Sequence, residues 1–313
     1  MVTGASGFVG GKLLPHLQER GYEITTFGRS PVSGFDHITG DIADGSSVDK
    51  AVAGQDIVFH LAGFISYRKR DRDKQYQVNV IGTRNVMAAA LKHDVKRVIH
   101  TSSIAAMGVP EPDGSIGDES IVYNLDGVGL NYCDTKHQAE LEVFKYTAQG
   151  LNAVLLCPGI IFGEGDTHPH HHAIFKAISK GWLLGWPKGG VMFSDINDVL
   201  ATHLNAIDHG KSGERYVVGS ANLSYKDAAI LVSKIMNKRP PLFEIPEPLV
   251  MGFTAVSEAI FPLFGRKAPL SNQMAWLSQR KIFFSFDKAV RELKYKPTPF
   301  EDTIRRTMGY YLG

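Results

Sequence analysis

Met1-Val-Thr-Gly-Ala-Ser-Gly-Phe-Val-Gly10 is the stretch on which the fold turns. Three glycines, Gly4, Gly7 and Gly10, follow a β-branched start and precede a helical run from about Phe8 to Arg20. In that order, Gly4 allows the tight turn out of a first strand and Gly7 lets backbone N–H groups approach a pyrophosphate. Gly10 lets the helix pack closely on the sheet. An ordinary tight turn also fits a glycine triplet, so the rest of the chain must arbitrate. A first strand feeding such a loop normally runs about five or six residues, whereas only Met1, Val2 and Thr3 precede Gly4. The expectation is that the natural start lies a few residues upstream, or that the first strand is unusually short.

Working outward, Tyr22-Glu-Ile-Thr-Thr-Phe27 reads as a second strand, ending in Gly28-Arg29-Ser30. An acidic residue at that place accepts from a ribose 2′-hydroxyl, whereas arginine pairs with a 2′-phosphate. Arg29 with Ser30 therefore points to NADP, with NAD possible; the alternative is a solvated turn arginine. Thr39-Gly-Asp-Ile42 closes a third strand. Asp56-Ile-Val-Phe-His-Leu-Ala-Gly63 is a continuous apolar run with a glycine stop, the pattern of a parallel strand buried on both faces. His60 within it reads as a packed core histidine rather than a catalyst. The basic stretch Tyr67 to Lys74 reads as a solvated face, or as a handle for an anionic substrate.

Val78 to His93 has helical spacing, and Lys96-Arg-Val-Ile-His-Thr-Ser-Ser103 reads as the next strand. Alternating strands and helices predict an α/β fold, a doubly wound parallel sheet with right-handed crossovers. Glu111 to Val128 reads as a surface loop. It leads to Tyr132-Cys-Asp-Thr-Lys136 at the start of a helix reaching about Gln149, where four-residue spacing puts Tyr132 and Lys136 on one face. A phenol has an ordinary pKa of about 10 and needs a nearby cation to exchange protons near neutrality. Lys136 would supply it. In an arbitrary helix the same pair is surface decoration.

The 34 basic and 32 acidic residues give no argument for a nucleic-acid partner. A small-molecule site is the better expectation. Cys133 and Cys157 stand apart without metal-ligand spacing, which suits a reducing compartment, and the chain is read as cytoplasmic. No apolar run reaches membrane-spanning length, so stable membrane insertion is not expected.

Taken together, these residues resemble the extended short-chain dehydrogenase/reductase superfamily. The likeness rests on Thr3-Gly-Ala-Ser-Gly-Phe-Val-Gly10, His60-Leu-Ala-Gly63, Asn79-Val-Ile-Gly-Thr83, Thr101-Ser-Ser103, Tyr132-x-x-x-Lys136 and Cys157-Pro-Gly-Ile160. Later segments, Phe193 to Val199, Gly213 to Gly219, Asn222 to Tyr225 and Lys288 to Leu293, are similar to the dihydroflavonol-reductase-like and hopanoid-associated epimerase-like branch, and more loosely to 3β-hydroxysteroid dehydrogenases. The resemblance implies that Ser103 hydrogen-bonds the reacting oxygen and Tyr132 is the general acid/base. Lys136 would bind the nicotinamide ribose and lower the tyrosine pKa, and Asn79 would be structural. It also implies cofactor contacts at Gly4, Ser6, Gly7, Phe8, Val9, Gly10, Arg29, Ser30, Leu61, Ala62, Gly63, Tyr132 and Lys136. Asp41 and Ile42 would flank the adenine, and Pro158 to Ile160 would pass the nicotinamide amide. Gly63 stands where many relatives carry alanine. A homodimer is implied by the resemblance alone.

Glu164 to Gly190 interrupts the alternation. Its His168, His170, His171 and His172 read as a polar loop near the substrate mouth rather than a metal site, so no metal is expected. Phe175, Trp182 and Trp186 would line a hydrophobic pocket or pack between lobes. Pro246 to Leu270, with Leu249, Phe253, Val256, Ile260, Leu263 and Phe264, reads as a core-facing or pocket-covering helix; the alternative is peripheral membrane contact through an apolar flap. Phe300 to Leu312 reads as a closing helix. The expected division is a dinucleotide-binding domain of residues 1–163 with 194–220 and a smaller α/β substrate lobe of 164–193 with 221–313.

The sequence reading is an NADP-dependent oxidoreductase acting on a carbonyl or secondary alcohol of a bulky small molecule. A nucleotide-sugar epimerase with tightly bound NAD is the first alternative, against which Arg29 counts. A non-catalytic NADP-sensing regulator is the second, against which the Tyr/Lys pair counts. A sugar dehydratase is disfavoured because Thr101-Ser102-Ser103 carries no acid for elimination.

Overall fold

The strand Val2–Thr3 lies between Ile57–His60 and Thr25–Gly28, parallel to both, with Val2 facing Phe59 on one side and Thr26 on the other. The computed structural model that shows this describes residues 1–166, 175–261, 268 and 270–312. The sheet has seven parallel strands, in the order Arg215–Val218, Ala153–Pro158, Arg97–Thr101, Ile57–His60, Val2–Thr3, Thr25–Gly28 and Asp36–Thr39. The chain winds one way from the central strand through Asp36–Thr39 and the other way from Ile57–His60. The switch point therefore lies at the C-terminal ends of Val2–Thr3 and Ile57–His60, where sheets of this type open a crevice.

Both faces are covered, which is why the strands carry continuous rather than alternating apolar residues. On one face Leu13, Leu14 and Leu17 of the helix Phe8–Glu19 pack with Ile196, Val199 and Leu200 of the helix Ile196–His209. On the other, Val48, Val52, Val86, Met87 and Val143 come from helices Gly45–Val52, Gly82–Lys92 and Asn131–Thr147. A second sheet has five strands: Ala221–Ser224, Gly190–Asp195, Lys281–Phe284 and Ile116–Gly117, with Ile160–Phe162 also pairing on Gly190–Asp195. Ile116–Gly117 and Ile160–Phe162 precede residue 164, so the chain visits this sheet before the stretch read as the substrate lobe. Its core is aromatic, with Phe193 stacked on Phe300 at 4.6 Å and Phe162 edge-on to both Phe175 and Phe300.

Several elements differ from the sequence reading. The second strand begins at Thr25 because Tyr22 and Glu23 stay exposed after the Gly21 turn, whose φ is +80°. The helix read from Val78 is instead a short helix Arg72–Gln75, a π-helical turn Tyr76–Ile81 and a helix Gly82–Lys92. A Cβ on Gly82 would stand 2.9 Å from Ile42 Cγ2, so glycine permits this close approach. The expectation of a core-facing helix within 246–270 holds on one side only. In Glu247–Ile260, Val250, Thr254 and Ser257 are buried, whereas Leu249, Phe253, Val256 and Ile260 remain exposed. Leu263, Phe264 and the four histidines at 168 and 170–172 lie outside the described residues.

Candidate active site

The glycine loop is built by exclusion. Gly4 has φ +67°, and a Cβ there would stand 2.7 Å from the Ala62 nitrogen, so the loop must approach the end of Ile57–His60 bare. A Cβ on Gly10 would collide with the Gly4 carbonyl, which seats the helix Phe8–Glu19 against its own loop. Gly7 is the N-cap and offers no side-chain acceptor, and the first turn holds no acid. The first-turn N–H groups of a helix have no intrahelical acceptor. Here they line a cavity, an arrangement that suits an anionic group.

Two cavities, of about 490 and 250 Å³, share Gly4, Gly7, Leu61 and Gly63 and so form one slot across the loop. Every site residue expected from sequence lines it. Phe8, Val9, Gly10, Ser103, Tyr132, Lys136, Pro158 and Ile160 border the larger part. Ser6, Arg29, Ser30, Asp41, Ile42 and Ala62 border the smaller. Phe175, Trp182 and Trp186 do not line it: Phe175 is buried in the second core, Trp182 is 66 % exposed and Trp186 is half-buried. Their apolar bulk goes to packing and to the surface.

A polar chain holds the loop from below. Thr3 Oγ1 lies 2.9 Å from His60 Nδ1 and accepts from the Ala62 N–H at 3.1 Å. His60 Nε2 lies 3.0 Å from Thr83 Oγ1, which donates to the Asn79 carbonyl at 2.6 Å. Burial, with Lys136 nearby, lowers His60 to about 3, so it is neutral and structural. The Asn79 side chain accepts from Phe64 N–H at 2.7 Å and donates to Phe64 O at 3.1 Å, clamping the residue after Gly63.

Tyr132 and Lys136 are both buried and face the larger cavity from the first turns of Asn131–Thr147. Lys136 Nζ donates to the Thr101 carbonyl at 2.8 Å. Burial lowers its pKa to about 8, while Glu140 and Cys157 push the other way. Burial raises the Tyr132 phenol above its ordinary range; a hydrogen bond with Ser103 lowers it, and Cys133 adds to the rise. The phenol therefore keeps its proton. Ser103 is itself fixed as the cap of a 3-10 turn, accepting from Ala105 N–H at 3.2 Å.

Sequence reasoning missed several groups. Tyr67 meets Tyr132 edge-on at 5.6 Å, and burial raises its phenol well above the ordinary range. Tyr225, pushed up to about 12 by burial, lines the same cavity, as do Met274 and Leu277. Beneath Lys136, buried Glu140 accepts from Ser102 Oγ at 2.5 Å and from Cys157 Sγ at 3.3 Å, and pairs with Arg215 at 3.3 Å. Glu140 was detectable, one turn beyond Lys136 on the same helix. Met274 and Leu277 had no local signal, because the second sheet brings them in from far along the chain. Among the described residues no cluster of His, Cys, Asp or Glu could hold a metal ion.

A glycine cradle, an open helix N-terminus and a slot spanning both sides of the loop fit a dinucleotide. Comparison with known proteins agrees. The model of the NAD dependent epimerase/dehydratase family matches residues 1–219. The chain is 31% identical over 325 residues to a Synechocystis sp. protein described as a candidate dihydroflavonol 4-reductase, covering 99% of this chain and 93% of that one. It is 30% identical over 283 residues to sterol demethylase protein B of Methylococcus capsulatus, covering 87% and 85%. The crystal structure of gox2253 superposes with a TM-score of 0.83 at 28% identity, over 99% of this chain and 97% of that one. The chain belongs to the NAD dependent epimerase/dehydratase family, the extended short-chain dehydrogenase/reductases, and is an NAD(P)-dependent enzyme of that family.

Proposed function

We propose that this enzyme is an NADP-dependent reductase or dehydrogenase that interconverts a carbonyl and a secondary alcohol on a bulky, apolar small molecule. The observation that carries the reading is the convergence of Ser103, Tyr132 and Lys136 in one cavity beside the glycine cradle. Bound nicotinamide supplies or accepts the hydride. In the reductive direction Tyr132, protonated in its buried setting, gives its proton to the carbonyl oxygen while Ser103 hydrogen-bonds the same oxygen. Lys136, anchored on the Thr101 carbonyl, keeps its remaining N–H groups for the ribose and holds positive charge near the phenol. Ile104, Val109, Leu125, Tyr225, Met274 and Leu277 wall the larger cavity, which supports an apolar substrate. One Methylococcus relative is named for a sterol, an apolar substrate of the class this wall supports.

NADP is favoured by Arg29 and Ser30. Both are exposed at the end of Thr25–Gly28, beside the smaller cavity, and no acid precedes them there. Titration of the purified protein with NADPH and NADH, beside the Arg29→Ala variant, tests this. NADPH preference lost in the variant supports the reading; retained NAD without that preference moves the assignment to an epimerase. Tyr132→Phe is expected to remove turnover by at least about a hundredfold while sparing cofactor binding. Unchanged turnover rejects the mechanism.

A further inference from the structure

The helix Glu247–Ile260 is amphipathic the wrong way round for a free surface. Its inward side is small or polar: Val250, Thr254 and Ser257 are buried, and Thr254 Oγ1 donates to Asn272 Oδ1 at 2.6 Å. Its outward side carries Leu249, Phe253, Val256 and Ile260, exposed by 65, 59, 58 and 45 %. Those positions recur at spacings of four, three and four, so they form one stripe along the helix. A contiguous exposed apolar surface of this kind marks an interaction site.

The apolar surface continues beyond the helix. The parallel pair Gly185–Trp186 with Phe243–Glu244 leads into it through Pro246, and Leu242 N–H donates to Leu184 O at 2.9 Å. Leu184, Leu242 and Phe243 are all more than half exposed, as is Trp182. Cations border this surface. Lys180 lies 4.6 Å over the Trp182 ring, and Lys238 and Arg239 stand exposed just before Leu242. The two stretches 176–188 and 234–260 hold six cations against three carboxylates, Glu244, Glu247 and Glu258.

We infer that this face of the C-terminal lobe docks on an anionic lipid bilayer, with the helix Glu247–Ile260 lying in the plane of the interface. A helix that rests at a bilayer surface buries its apolar stripe among the acyl chains and sets its cations against the headgroup phosphates. The residues supply both parts: a stripe roughly 17 Å long from Leu249 to Ile260, from the rise of an α-helix, and flanking Lys238, Arg239 and Lys180. A second copy of the chain, itself carrying a net charge of +2, would cover the stripe but bring no net negative charge to the cations beside it. No helix among the described residues is long and apolar enough to cross a membrane, so the association is at the surface. The docked helix packs on Asn272–Ser278, whose Met274 and Leu277 wall the catalytic cavity. The inference stands independently of the cofactor and reaction proposed above.

Co-sedimentation of the full chain with vesicles of phosphatidylglycerol and phosphatidylcholine, beside vesicles of phosphatidylcholine alone, tests it. Binding to the anionic vesicles is expected to exceed binding to the neutral ones at least tenfold and to fall with added salt. The double variant Phe253→Ser with Val256→Ser should lower the bound fraction at least tenfold. Lys238→Ser with Arg239→Ser should weaken the salt dependence. Both pairs are exposed, so thermal unfolding should match the parent. Absence of binding, binding indifferent to these substitutions, or a dimer by light scattering that the first pair dissolves in place of any vesicle binding each overturns the proposal.

Discussion

Lys136 Nζ donates to the main-chain carbonyl of Thr101 at 2.8 Å, tying the helix that carries Tyr132 to the end of the strand that leads into Ser103. The three groups of the proposed site thus share one anchor. Burial holds Lys136 at about 8, so its charge is lost as pH rises through that value. The expected kcat/KM is level below pH 8 and falls above it by about tenfold per pH unit if the cation is required. A profile that stays flat to pH 10 removes Lys136 from the mechanism.

Glu140 is the counterweight to that shift, since it pushes the Lys136 pKa upward while pairing with Arg215. Glu140→Ala strands the Arg215 guanidinium, whose side chain is 17 % exposed, and is expected to destabilise the fold by about 3–5 kcal/mol. Glu140→Gln should cost less, because it retains a partner for Ser102, and should move the alkaline limb of the rate profile to lower pH. Urea unfolding and a pH–rate profile on the same variant check both halves.

The buried histidines make the fold acid-sensitive. His60 lies at about 3 and His203 at about 4, each lowered chiefly by burial from an ordinary value of 6.5. Their neutral forms are the folded ones. Their contribution is intact above pH 6.5 and declines as pH falls toward 4, because the unfolded chain takes up protons that the folded chain refuses. Between pH 6.5 and 5 the expected loss is about 2 kcal/mol per histidine. Equal stability in urea at pH 7 and pH 5 contradicts this.

Two glycines of the cradle should respond differently to alanine. At Gly10 the new Cβ would strike the Gly4 carbonyl, and Gly10→Ala is expected to lower both stability and nucleotide affinity. At Gly63 the nearest atom would be Asn79 Oδ1 at 3.7 Å, so Gly63→Ala should fold normally and gain about 0.5 kcal/mol through the unfolded state. Calorimetry of both variants with and without NADPH separates the two effects.

The sheet was legible because its strands are buried on both faces and its loops carry glycines at defined offsets; Ile57–His60 and Arg97–Thr101 are apolar runs with little ambiguity. The slot-lining residues were legible for the same reason, since Ser103, Gly63 and Pro158 lie at or just beyond strand ends. Tyr67 was passed over because the charges beside it invited a solvated reading. For Glu247–Ile260 two alternatives stayed open, because its spacing defines a stripe without saying which side faces the protein. That choice was made by Asn272, which pairs with Thr254 and Glu258.

The chain from Ala62 to Asn79 has a direction. Thr83 spends its hydroxyl proton on the Asn79 carbonyl, so it can only accept from His60 Nε2, which must carry the ring proton. His60 Nδ1 is then bare and takes the Thr3 hydroxyl proton, leaving Thr3 Oγ1 to receive the Ala62 amide. Every link points the same way, from the backbone beneath the nucleotide cradle to the π-helical turn. One imidazole tautomer therefore ties the loop after Val2–Thr3 to the π-helical turn. A second proton on that ring would oppose two donors across one gap and loosen the cradle from underneath.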